Sequence, residues 1–196
     1  MRRTVPLAGV CVLAVAVAGC ARQAAPPEPG VSTGTAPDLR GRRVLVLPVQ
    51  QVVGVAGDPD AELTFGLQGR GSEVDWILPA DVERRLERSP GIDARTRGLP
   101  VSAFVQAEVR RVGDPLYGEL RRMSALVDAE LVLLPVRAAA EQVDSSGTAV
   151  RLHTALLDVR SGRVLWFSVD QGDPHPPGDP RALASAMDVL ARRLLR

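Results

Sequence analysis

The sequence predicts an α/β fold: a single domain with helices packed on a mixed sheet, including a C-terminal β-hairpin and a closing helix. Three observations carry this. "VLVLPV" (Val44–Val49) and "LVLLPV" (Leu131–Val136) are short continuous apolar runs, the pattern of strands covered on both faces. "AVRLHTALLDV" and "RVLWFSV" are β-rich and joined by Arg160-Ser161-Gly162, which reads as a hairpin. Leu116, Leu120, Met123 and Val127, and again Leu183, Met187, Leu190 and Leu194, recur at helical spacing.

The chain has 196 residues, room for a targeting segment and one ordinary domain. Aromatics make up 3%, so the 45% of hydrophobic residues must build a core mainly from Leu, Val and Ala. Every basic residue is Arg and the formal charge is +1, which points away from nucleic acid.

The N-terminus carries the strongest motif. Met1 to Thr4 is a basic n-region with Arg2 and Arg3, and Val5 to Ala16 is an apolar h-region too short for a mature membrane span. Val17-Ala18-Gly19-Cys20 follows, which resembles a bacterial lipobox. The resemblance implies cleavage after Gly19, with Cys20 carrying diacylglycerol and an N-terminal acyl chain such as palmitate. Cys11 would leave with the signal peptide (1–19), so no thiol would remain for a disulfide, a nucleophile or a metal. Ala21 stands where Asp would favour inner-membrane retention, so the expected destination is the periplasmic face of the outer membrane.

Residues 20–40 read as a flexible tether rich in Pro, Ala, Gly, Ser and Thr, without apolar periodicity. The globular domain is then expected over 41–196. Val44 to Val49 opens it as a central strand. Val52 to Asp75 is glycine-rich and reads as a long loop holding a short strand near Leu63–Phe65. It has no phosphate-cradling glycine motif. Pro79 opens a helix that ends before Gly91, with Val82 and Leu86 on one face and Asp81 paired to Arg85. Ile92–Thr96 reads as a short edge strand. Ser102–Val112 reads as a helix, although strand alternation fits part of it. Asp114-Pro115 and Asp179-Pro180 are cap and first-turn pairs for the two striped helices. Asp188 and Arg192 form an i, i+4 pair, and Asp158 suits the hairpin turn.

No catalytic pattern emerges. His153 lies mid-strand and reads as a satisfied or exposed strand histidine. His175 has Asp170, Asp173 and Asp179 nearby in sequence, but at no metal-loop spacing. Asp58 and Asp60 are paired carboxylates in a loop, and no G-x-S-x-G elbow occurs. Neither catalytic residues nor a metal or cofactor are expected.

"RRVLVLPV", "AELVLLPV" and "LLDVRSGRVLWFSV" together resemble the fold shared by the TolB N-terminal domain and the curli-secretion lipoproteins, over residues 43 to 195. The hairpin pattern D-x-x-[ST]-G-x-[VL]-x-W is met by Asp158, Ser161, Gly162, Val164 and Trp166. The resemblance implies envelope roles: assembly factors, secretion-channel or exopolysaccharide-export lipoproteins, and activators of cell-wall synthases. It implies the Asp158, Ser161, Gly162 and Trp166 hairpin as a structural element. The chain has no long alternating segments that would make transmembrane hairpins. The expected function is a non-enzymatic adaptor or assembly factor, anchored in the bilayer through acylated Cys20. Its expected partner is an envelope protein or a second copy of the chain. The alternatives are an export-channel subunit and an envelope enzyme without a recognisable motif.

Overall fold

A computed structural model describes Glu28, residues 30–143 and residues 147–195. Cys20, Gly19 and the signal segment lie outside the described residues. In chain order the elements are β1 (Ser32–Gly34), β2 (Arg43–Val46), β3 (Gln51–Val53), α1 (Pro59–Arg70), β4 (Asp75–Ile77) and α2 (Pro79–Glu87). They continue with α3 (Ala103–Gln106), α4 (Leu116–Val127), β5 (Leu131–Val143), β6 (Gly147–Asp158), β7 (Arg163–Gln171) and α5 (Arg181–Leu194).

The strands form one mixed sheet in the order β1-β7-β6-β5-β2-β4, with β3 pairing β5 beyond the end of β2. β2 runs parallel to β4 and β5, while β5, β6 and β7 form antiparallel hairpins. The continuous apolar runs are explained by burial on both faces. Val44 and Val46 join one core cluster and Leu45 and Leu47 the other. α1 and α5 cover the first face through Leu63, Leu67, Leu183, Met187 and Leu190. α2, α3 and α4 cover the second through Val82, Phe104, Leu120, Met123 and Val127. Among the described residues, both clusters and the apolar residues packed on them come from Ala36 onward.

Several expectations need correction. The domain begins earlier than residue 41. Ser32–Gly34 pairs antiparallel with β7, and Leu39 is buried. Composition gave no hint of this, because β1 is held by backbone pairing on the β7 edge. Gly34, at φ 75°, presses so closely on β7 that a Cβ there would lie 2.1 Å from the Leu165 carbonyl oxygen. The glycine-rich loop with a strand at Leu63–Phe65 is instead the helix α1. Asp58 caps it, accepting from the Asp60 and Ala61 amides at 3.0 and 3.2 Å, and Pro59 starts it. Leu63 and Leu67 are its buried i, i+4 pair, and Gly66 lies against Met187 of α5.

Ile92–Thr96 is not a strand. The helix expected over Ser102–Val112 is one turn, α3, after which the chain extends along β7 through a bridge between Arg111 and Arg163. The partial strand alternation was the better guide there. Asp81 pairs with Arg84, one residue short of the expected Arg85. Asp188 pairs with Arg192 at 3.1 Å, and also with Arg70 of α1.

Candidate functional site

The parallel strands β2 and β4 end side by side, and the chain departs from them toward opposite faces, into α1 and α2. Such a divergence leaves a crevice outside the carboxyl ends of the strands. Here it is a cleft of about 640 Å³ lined by Val49, Val52, Phe65, Asp58, Asp60 and Glu83, with Arg97.

Its charged groups already have tasks. Asp60 accepts from the Val49 amide at 2.8 Å with one oxygen and from Arg97 Nη2 at 2.7 Å with the other. Arg97 Nε lies 3.5 Å from Glu83, which also accepts from the Thr96 hydroxyl at 3.2 Å. The hydrogen bond to Asp60 raises the Arg97 pKa above its ordinary value. Gln50 adds a second tie, donating to the carbonyls of Pro48 and Thr96 and accepting from the Leu99 amide. The loop after α2 is thereby bound to β3 and α1, and the cleft is pre-formed. Asp58 and Asp81 satisfy amides at the starts of α1 and α2, which disfavours an anionic ligand at those helix ends.

The cleft's distinctive property is apolar. Phe65 is 77% exposed and Val52 49%, and both line the cleft. β3 pairs with β5 alone among the described strands, so its outer edge is open beside Phe65. An exposed aromatic, an exposed valine and an open strand edge within an acidic rim suit the docking of a protein segment.

The hairpin residues cooperate in one turn. Asp158 Oδ1 accepts from the amides of Arg160 (2.8 Å) and Ser161 (3.3 Å), and Ser161 Oγ accepts from the Arg163 amide at 3.3 Å. Gly162 takes φ 69°, and a Cβ there would lie 3.1 Å from the Val112 carbonyl oxygen. Trp166 is buried between Leu156 of β6 and Gly34 of β1 in the sheet register. This cluster supports the sheet and lies apart from the cleft.

His153 is neither exposed nor satisfied. Its ring is buried, stacked on Phe167 with centroids 6.3 Å apart, and Nδ1 has no hydrogen-bond partner among the described residues. Burial, together with Arg151 and Arg137, lowers its pKa to about 4. His175 pairs with Thr148 through its backbone. The aspartates near it in sequence serve separate contacts: Asp170 binds Ser168 and Arg193, and Asp179 binds Arg181. Among the described residues no three His, Cys, Asp or Glu converge on a possible metal position.

No protein-family model matches the sequence, and no curated protein matches it. Solved structures are similar to it. The C-terminal domain of LpoB from Salmonella enterica aligns at 14% identity over 71% of this chain and 87% of that one, with a TM-score of 0.44. The PelC dodecamer from Paraburkholderia phytofirmans gives 13% identity, 85% and 97% coverage and 0.42. Lipoprotein GNA1162 from Neisseria meningitidis gives 17%, 67% and 81%, and 0.42. These are likenesses of fold.

Sequence reasoning missed Phe65, because its segment was read as a strand. The Asp58-Pro59 pair and the Leu63/Leu67 spacing were the available signal. On a helix that buries those two leucines, Phe65 points the opposite way.

Proposed function

We propose that this protein is a lipid-anchored envelope adaptor. Cys20 carries the acyl chains, a short tether follows, and the α/β domain holds a partner protein at the cleft between α1 and α2. The exposure of Phe65 beside Val52 carries this reading. An apolar group of this size at a pre-formed cleft costs solubility, and a docked segment would cover it.

The anchoring rests on the signal motif. No described helix is long and apolar enough to cross a membrane. Two or more acyl chains give stable attachment. Because Gly30 is already tied to Val169 of β7, the tether in this reading is residues 21–29. It lets Cys20 and Gly30 lie at most about 35 Å apart, at roughly 3.3–3.6 Å per residue. The partner would therefore be met close to the anchoring leaflet, which by Ala21 is the periplasmic face of the outer membrane. The occupied carboxylates of the cleft support binding rather than catalysis.

Photocrosslinking tests the docking. A benzoylphenylalanine at Phe65 or Val52 should capture a discrete envelope protein, while one at exposed Ser102 should not. Absence of any adduct from both cleft positions would sink the proposal.

A further inference from the structure

Arg111 and Arg163 face each other across an antiparallel bridge beside β7. The Val112 amide donates to Gly162 O at 2.9 Å and the Val164 amide to Arg110 O at 2.9 Å. This is the closely spaced pairing, which sends both side chains off the same face. Like charges placed so repel. Both arginines are exposed, and neither forms an ion pair among the described residues. Arg110 adds a third guanidinium, partnered by Glu108 at 3.2 Å. The three line a recess of about 390 Å³ against Thr33 and Gly34 of β1.

The chain enters the domain along this same edge. The Gly30 amide donates to Val169 O at 2.8 Å, and Val31 beside it is 44% exposed. Nine residues separate Gly30 from Cys20, so the two lie at most about 35 Å apart. A recess with two unpaired arginines thus lies on the same sheet edge, at the other end of β1, as the point where a short tether would fix the domain to a bilayer.

We infer that the β1 edge, through Arg110, Arg111, Arg163 and Val31, docks on anionic phospholipid headgroups of the membrane that holds the anchor. Guanidinium forks match phosphate oxygens, and adjacent forks can share one headgroup. Val31 supplies an apolar contact at the interface. β1 ends the strand order on one side and β4 on the other, so docking by β1 turns the Phe65 cleft away from the bilayer. This inference rests on the anchored reading, and its test is made without the anchor.

The chain 20–196 carrying Cys20→Ser, the form expected after signal cleavage but without its lipid, is floated with vesicles of phosphatidylglycerol and phosphatidylcholine (one part to two) or of phosphatidylcholine alone. This chain should float with the anionic vesicles, and raised salt should release it. Arg111→Gln with Arg163→Gln should lower the partition roughly tenfold or more. Arg111→Lys with Arg163→Lys should retain most of it, which separates lost charge from lost folding. Equal flotation with both vesicle types, or no effect of the Gln pair, would overturn the inference. So would salt-sensitive self-association that needs the two arginines in place of vesicle binding, because the recess would then serve a second copy. Fractionation of a Cys20 variant reads the anchor independently.

Discussion

Arg193 Nη1 lies 2.7 Å from Oδ1 of Asp170, a carboxylate with no exposure to solvent. The pair joins the closing helix to the last strand, and the second Arg193 nitrogen reaches the Gly30 carbonyl at 2.9 Å. Burial raises the Asp170 pKa, against the opposing pull of Ser168 and Arg193. Arg193→Ala would leave a buried charge unpaired, at a cost of about 3–5 kcal/mol in urea unfolding. A loss below about 1 kcal/mol would show that the carboxylate is satisfied without the arginine.

His153 predicts a stability loss on acidification. Its folded pKa of about 4 lies below the ordinary 6.5, so between those values the unfolded chain binds a proton that the folded chain refuses. Its contribution is complete above about pH 6.5 and is lost as the pH falls toward 4. The loss should be roughly 2–3 kcal/mol by pH 4.5. Asp38 and Asp179, each held at about 2 mainly by side-chain hydrogen bonds from Arg40 and Arg181, lose their contributions in a lower window. Unfolding of His153→Leu at a series of pH values should show a flatter slope between 6.5 and 4.5. An unchanged slope there would assign the acid sensitivity to other groups.

Gly172 fixes how closely α5 lies on the sheet. A Cβ at this position would meet the Ala186 nitrogen at 2.5 Å and the Ala182 oxygen at 3.0 Å. Both are backbone atoms, so the helix itself would have to lift. Gly172→Ala should destabilise by about 1–3 kcal/mol, read as a lowered melting temperature. A variant that melts with the parent would mean that α5 yields freely.

Trp166→Ala should cost roughly 3–5 kcal/mol, because the ring fills the α5 face of a core that is poor in aromatics. Retained stability with lost partner capture would instead place Trp166 in an interface.

What the sequence made legible follows from where each signal resides. The central strands declared themselves because Val44 to Leu47 and Leu131 to Leu134 are buried on both faces, which a composition pattern records. The α4 and α5 stripes were equally plain. α1 was obscured by Gly66 and Gly69, whose low helix propensity outweighed the Asp58-Pro59 start in the reading, whereas the fold accepts them under the packing of α5. β1 had no side-chain signature at all, since a three-residue edge strand is specified by its neighbour's open edge. The cleft could not be read in advance, because it joins the ends of β2 and β4 to helices on opposite faces. The arginine pair beside β7 was hidden for the same reason: Arg111 and Arg163 are 52 residues apart and meet through tertiary register.

The central claim is that Cys20 fixes this domain to a membrane, and fractionation of Cys20→Ser tests it most directly. The native chain should stay in the membrane pellet through a carbonate wash, while the Ser variant should appear in the soluble fraction. A Ser variant that pellets with membranes as firmly as the native chain would contradict the anchor, and the orientation of the cleft would then need another cause.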